Sequence, residues 1–231
     1  MRWALGRRLA PAAAIYAAAA PPPPRARWDA ARWCVVDLEL SGLDPHRHEI
    51  ISYGAIPIEG GRVQLAGAVS GLVRPSQPLS ESSIRIHGIR AADLIHAPVL
   101  AEAIGPLLEA MSGSVLVAHV ARVERAFLGR ALRGEGLRLR GPIADTSVLG
   151  RLWLCERDGR LSPELSLAAL AEELGLPVRG QHDALGDALT TAQVFIAAAS
   201  HLDALEGETV RSIVRAERRL AVRRAYPPAD R

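Results

Sequence analysis

The 231-residue chain contains no lysine and no asparagine. All 28 of its Lys/Arg-type cations are therefore arginine. Any contact with a phosphate has to come from a guanidinium, a helix N-terminus or a metal ion. Both missing residues have AT-rich codons, so a GC-rich coding sequence accounts for the bias. Cysteine is almost absent too. Cys34 and Cys155 are the only two, which excludes a zinc-finger array or a disulfide scaffold and fits a reducing compartment, read here as the cytoplasm. Aromatic residues make up 4%, which argues against base recognition mainly by stacking platforms. The longest apolar run, Leu9 to Ala20, is broken by Pro11 and falls short of the roughly 20 residues a bilayer needs, so no membrane partner is expected. What is present is ordinary for a globular protein: 49% hydrophobic and 23% charged residues, with a net charge of +3.

Residues 1–30 read as an Ala/Pro-rich extension, a short helix followed by a stiff spacer at Pro21–Pro24. The order of basic, small apolar and Pro-rich stretches mimics a secretory signal, but the apolar part is mostly weakly apolar Ala. The body spans residues 31–200 and an Arg-rich helical tail spans 201–231. Trp33 to Leu40 is a strand, Ile50 to Ile58 a second, and Gly60-Gly61 a hairpin turn into a returning strand over Val63 to Val73. The chain then alternates: helix from Val99 to Met111, strand from Ser114 to Ala118, helix from Ala121 to Arg133, strand from Pro142 to Ala144. Helices over Leu165 to Leu174 and Ala184 to Leu205 follow, and an amphipathic stretch over Glu208 to Ala225. A hairpin meander followed by alternating strands and helices predicts an α/β layer fold with a mixed sheet.

The chemistry is carried by acids. Asp37 and Glu39 are two apart on a strand and share one face. Buried like charges of this kind must be protonated or met by a cation, and a hard divalent ion with oxygen ligands is the simplest remedy. A strand end emerging into solvent is the plainer alternative. Three further segments bear on the choice. His119 ends the strand that begins at Ser114, and Glu124 follows in the first turns of the next helix. His182 precedes the long helix and Asp187 lies about one turn inside it. Singly, these read as a core histidine, a solvated acid, and capping or exposed charge.

Together the segments resemble the DEDDh exonuclease family, the superfamily of the proofreading epsilon subunit of bacterial DNA polymerase III, with ribonuclease T and oligoribonuclease as relatives. The resemblance rests on Asp37-x-Glu39 followed by Ser41-Gly42-Leu43-Asp44-Pro45, on Ile86-His87-Gly88-Ile89, on Val117-Ala118-His119 with an acid five residues on, and on His182-x-Ala184-Leu185-x-Asp187-Ala188. It covers roughly Arg32 to Ser200. It implies a ribonuclease-H-like mixed sheet flanked by helices, and a metal-dependent 3′→5′ exonuclease releasing nucleoside 5′-monophosphates from DNA or RNA. Carried over by position, Asp37, Glu39, Glu124 and Asp187 would hold two Mg²⁺ or Mn²⁺ ions and His182 would be the general base. Leu40, Ser41, His87 and His119 would line the substrate position. Two departures stand out. Leu40 replaces the family's usual Thr, leaving only backbone to contact a terminal nucleotide. Val120-Ala121-Arg122-Val123-Glu124 replaces an Asn-Ala-x-Phe-Asp pattern, so Glu124 keeps the charge with one more methylene.

Arg122, Arg125, Arg130, Arg133, Arg138 and Arg140 could line a phosphate path or a solvated face. The expected partner is a single-stranded 3′ end of nucleic acid, with a DNA polymerase or a second copy of the chain as further candidates. The tail carries no recognisable clamp-binding peptide, which favours a stand-alone repair or turnover enzyme over a replicative subunit. The alternative function is a catalytically weak nucleic-acid-binding or polymerase-associated subunit.

Overall fold

The structure, a computed structural model, describes residues 11–159, 161–178 and 182–225. The basic start of the N-terminal extension and Gln181 lie outside the described residues. In chain order the elements are α1 Pro11–Ala18, β1 Trp33–Leu40, β2 Ile50–Glu59, β3 Arg62–Val63, β4 Val69–Leu72, α2 Glu81–His87, α3 Ala91–Leu94, α4 Leu100–Met111, β5 Val115–Ala118, α5 Arg122–Gly134, β6 Ile143–Asp145, α6 Thr146–Asp158, α7 Leu167–Glu173, α8 Ala184–Glu206, α9 Val210–Val214 and α10 Ala216–Ala225.

The strands form one mixed sheet in the order β3-β2-β1-β5-β6, with β4 also pairing β2. β1 runs antiparallel to β2 and parallel to β5, and β5 runs parallel to β6. β1 can be an almost unbroken apolar run because both faces of the sheet are covered. Cys34, Val36 and Leu38 pack with α1, α4 and α5 on one face. Trp33 and Val35 pack with α6, α7 and α8 on the other. The Ala-rich sequence of α8 lets it lie close to the strands: Ala188, Ala192, Ala198 and Ala199 are fully buried. Phe195 of α8 meets Trp33 with ring centroids 4.8 Å apart.

Two expected elements come out differently. The returning strand is split into β3 and β4 by a 3₁₀ turn at Leu65–Gly67. The break sits opposite Pro57 of β2, which has no N–H to donate to a ladder. The Gln64 amide instead reaches the Pro57 carbonyl at 2.9 Å. Helix α6 fills a segment that carries no clear sequence periodicity, because it is buried nearly all round. Its Gly150 faces Leu170 of α7 so closely that a Cβ there would fall 2.4 Å from Leu170 Cδ2.

Both extensions pack onto this body. Tyr16 of α1 is buried; its hydroxyl donates to the Arg138 carbonyl at 3.3 Å and accepts from the Arg140 amide at 3.2 Å. The chain after the prolines is stitched to the start of the tail: the amides of Val210 and Arg211 donate to the carbonyls of Ala26 and Pro24. Buried Glu208 pairs with Arg219 at 2.5 Å, and Arg223 pairs with Glu156. Those two tail arginines therefore hold helices in place.

One glycine sets how α8 approaches the sheet. Gly54 lies opposite Asp37 in the β1–β2 register, and a Cβ on it would stand 2.2 Å from the Ala184 carbonyl oxygen. The first turn of α8 thus rests directly on β2 backbone. Gly54→Ala should destabilise the protein by about 1–3 kcal/mol, since backbone cannot rotate out of the way. Gly129→Ala, in the middle of α5 with 3.6 Å to its nearest neighbour atom, should stabilise by about 1 kcal/mol. Urea denaturation of both variants checks this; equal effects would show that the α8 contact is loose.

Candidate active site

The first turn of α8, set down at Gly54, brings Asp187 to the acid pair at the end of β1. One carboxylate oxygen each from Asp37, Glu39 and Asp187 lie within 4.8 Å of one another. Asp183, the N-cap of α8, accepts from the Gly186 amide at 2.9 Å. Glu124 enters from the first turn of α5, on the opposite layer. It is not one of the three clustered acids, but it is buried, its Oε2 meets no hydrogen-bond partner among the described residues, and its charge acts on Asp37.

These acids resist ionisation together. Burial pushes the Asp37 carboxyl well above the usual range, and the charges of Glu124, Asp187 and Glu39 add to it. Burial, then Asp187 and Asp183, raises Glu39 to about 7. Burial raises Glu124 to about 8, with Asp145 adding to the shift. Asp187 is raised mainly by burial, partly offset by the His182 amide that donates to its Oδ2 at 2.9 Å. No cation side chain is bonded to these four among the described residues. An all-oxygen, anionic donor set with an orphaned buried oxygen suits hard divalent cations, so the residues fit a metal centre.

The sequence-expected histidines part ways. His182 is exposed beside Asp187, with φ of +61°. His87 accepts from the Ile89 amide at Nδ1, 3.0 Å away, which makes Nε2 the ring's donor. Burial lowers its pKa, while the Leu40 carbonyl favours the charged ring. The charge of His182 adds to the lowering of His87. His119 faces elsewhere: its Nδ1 lies 3.0 Å from Thr146 Oγ1, and burial lowers its pKa. Leu40 and Ser41 turn inward. Leu40 is part of the core on the α4–α5 face, and the Ser41 hydroxyl accepts from the Glu49 amide at 2.9 Å, stapling the β1–β2 loop.

Several of the arginines have other duties. Arg130 binds the carbonyls of Pro45 and His48, and Arg140 those of Ala17 and Ala19. Arg122 stands 4.0 Å from Glu164. Arg122 and Arg125 remain solvent-exposed on the first turns of α5. Sequence reading missed Asp145, which accepts from the amides of Val120, Ala121 and Ser147. The Asp145-Thr146-Ser147 stretch is a helix-cap signal that could have revealed it.

Raised carboxyls give stability a definite pH slope. Between its ordinary value and its raised one, each acid holds more proton in the folded chain than in the unfolded chain. These groups therefore make stability fall as pH rises through that window, from about 4.5 up to the values of about 7 and about 8. Chelated protein should melt lower at about pH 8 than at about pH 5.5, and Mn²⁺ should raise the melting temperature more at the higher pH. A flat profile in chelator would mean the acids are not crowded in solution.

The RNase_T family, described as "Exonuclease", matches residues 34–195. The chain is 35% identical over 167 residues to "DNA polymerase III PolC-type" of Thermotoga maritima, covering 72% of this chain and 12% of that protein. It is 35% identical over 172 residues to the "DNA polymerase III subunit epsilon-like protein" of Rhodobacter capsulatus, covering 73% of this chain and 24% of that protein. To "DNA polymerase III subunit epsilon" of Aquifex aeolicus it is 31% identical over 166 residues, 70% of this chain and 77% of that one. The chain thus spans an eighth to a quarter of the first two relatives and most of the third. Among solved structures, Exonuclease X in complex with 5′-overhanging duplex DNA superposes with a TM-score of 0.61 at 23% identity, over 80% of this chain and 98% of that one. The nuclease domain of 3′hExo, a DEDDh family member bound to rAMP, gives 0.59 at 18% identity, over 77% and 95%. At these identities the structural likeness is one of fold, the ribonuclease-H-like mixed sheet flanked by helices. The chain belongs to the RNase_T family of exonucleases.

Proposed function

We propose that the chain removes nucleoside 5′-monophosphates from single-stranded 3′ ends of DNA, with Asp37, Glu39, Glu124 and Asp187 as ligands for two Mg²⁺ or Mn²⁺ ions and His182 as the general base. The observation that carries this reading is the set of three carboxylates within 4.8 Å of one another, drawn from β1 and α8. Their mutual repulsion makes such crowding costly unless a cation or protons offset it. The choice of DNA is supported by the relatives named as DNA polymerase subunits and by the DNA-bound Exonuclease X.

When bound, such a cation pair polarises the scissile phosphate and offsets the charge that gathers on the 3′-oxygen. The protein's own groups do the rest. The four carboxylates carry enough negative charge to balance two divalent ions. A ring nitrogen of His182 takes one proton from the attacking water as its oxygen bonds to phosphorus. The P–O3′ bond breaks, and the 3′-oxygen leaves with the bonding pair and is protonated from solvent. The bond from the His182 amide to Asp187 ties the base to a ligand, so both move as one unit. The exposed Arg122 and Arg125, flanking Glu124, would receive the approaching backbone phosphates.

The test uses a 3′-labelled single-stranded oligonucleotide with Mg²⁺, Mn²⁺ or chelator. Stepwise, metal-dependent loss of label is expected. Binding without cleavage under every metal would instead indicate a nucleic-acid-binding subunit. Asp37→Ala and Asp187→Ala should abolish cleavage without lowering the melting temperature of the metal-free protein, because each removes one of several mutually repelling buried acids. His182→Ala should lower kcat about 10²–10⁴-fold and leave Mn²⁺ affinity nearly unchanged, since an all-oxygen site needs no histidine. Loss of Mn²⁺ binding in His182→Ala would make His182 a structural support of Asp187 rather than a base.

A further inference from the structure

Two non-glycine residues have positive φ among the described residues, His182 and Val120. For Val120 this is severe. A β-branched side chain at φ of +59° is a genuine outlier, because the left-handed region crowds its Cβ substituents. Such a conformation is strained and persists only where the surroundings over-determine it. The surroundings here are one carboxylate. Asp145 Oδ1 accepts from the Val120 amide at 3.2 Å and Oδ2 accepts from the Ala121 amide at 2.9 Å. The same Oδ1 accepts from the Ser147 amide at 2.9 Å and its hydroxyl at 2.7 Å. Asp145 is thus pinned to the start of α6 and in turn pins the 120–121 turn. The β5–β6 register places it there, since Asp145 lies beside Ala118, two residues before Val120.

The turn it holds is the entry to α5. Ala121 is the N-cap of that helix and Glu124 lies in its first turn. Where the chain turns at Val120 therefore decides the axis and phase of the first turn, and with them where the Glu124 carboxylate points. Glu124 needs that control more than a shorter acid would, because its extra methylene adds a rotatable bond. Its Oε2 meets no partner among the described residues. Neighbouring contacts stiffen the same bracket, since Thr146 Oγ1 donates to the Ala118 carbonyl at 3.3 Å and lies 3.0 Å from His119 Nδ1.

We propose that Asp145 is a positioning residue for the reaction: its carboxylate holds Val120 in the left-handed conformation and so aims Glu124 of α5 at the acids of β1 and α8. This rests on the reading of Glu124 as a metal ligand. Asp145 acts through backbone, by accepting from the Val120 and Ala121 amides. It gives the end of β6 a function that a helix cap alone would not have.

The test compares Asp145→Ala, Asp145→Ala/Val120→Gly, Ser147→Ala and Glu124→Gln, measuring kcat, KM and direct binding of Mn²⁺ alone. Asp145→Ala should lower kcat and Mn²⁺ affinity about 10–100-fold, the usual effect of losing a partner that orients a ligand, with KM for the oligonucleotide little changed. Adding Val120→Gly should restore about tenfold, because glycine adopts positive φ without a clamp. Ser147→Ala, which removes the hydroxyl donor to Asp145 Oδ1 but leaves the Ser147, Val120 and Ala121 amides bonded to it, should change neither constant more than about twofold. Rescue by Val120→Gly cannot come from a helix-capping role, so its absence in a folded double variant overturns the proposal. If Asp145→Ala is too unstable to assay, the double variant against Glu124→Gln decides: Mn²⁺ binding as weak as in Glu124→Gln overturns it. Unchanged Mn²⁺ binding in Glu124→Gln instead removes the ligand reading of Glu124. Near-normal Mn²⁺ binding in Asp145→Ala, with Glu124→Gln defective, removes the positioning role alone.

Discussion

Mutual repulsion among half-desolvated carboxylates is the constraint on which the rest of this molecule turns. Bringing Asp37, Glu39 and Asp187 within 4.8 Å of one another costs free energy that a dry setting makes larger. The protein meets that cost with rigid, apolar packing on both sides of β1. Gly54 allows α8 to touch the sheet backbone, and the fully buried alanines and Phe195 of α8 hold it there. Held in this way, the acids are harder to ionise than free carboxyls. The same crowding of anionic oxygens is the chemistry that suits a hard divalent cation.

The two layers contribute unequally. On the α8 side, Asp187 arrives through direct helix–sheet contact. On the α5 side, Glu124 arrives by way of a turn, and the turn is held by a side chain from a third element. A site divided across both faces of a sheet gains independence of its halves. It also gains a weakness, because the half that depends on Val120 stands on an uncomfortable backbone conformation.

Legibility in the sequence followed the locality of the interactions. The acid pair of β1, the helix bearing Asp187 and the layered α/β fold were all readable, because each is written in spacing of two or of three to four along one element. The break between β3 and β4 was not read, although its cause, Pro57, lies on the opposite strand and acts only through pairing. Helix α6 was hidden because burial on nearly every side erases the amphipathic stripe that marks a helix. Asp145 was hidden for a deeper reason: its meaning comes from the register of β5 against β6, which no local pattern encodes. Ser41 and Leu40 illustrate the converse. Their place beside the acids was plain, but which way their side chains face depends on the Glu49 amide and on the core behind β1.

The stitching of the two extensions bears on how the chain comes to be folded. Arg27 reaches Asp203 across 176 positions of sequence, and Trp28 leans on Phe195 with ring centroids 6.2 Å apart. During synthesis the segment around Trp28 leaves the ribosome long before its partners exist. Closing so long a loop adds little thermodynamic cost, since that cost grows only with the logarithm of length, but it delays the event in time. Until α8 arrives, a tryptophan and the inner face of the sheet are left facing water, the kind of transient exposure that chaperones recognise. The last helices thus act as a seal, and the acid cluster, which needs α8, comes into being only when the seal closes.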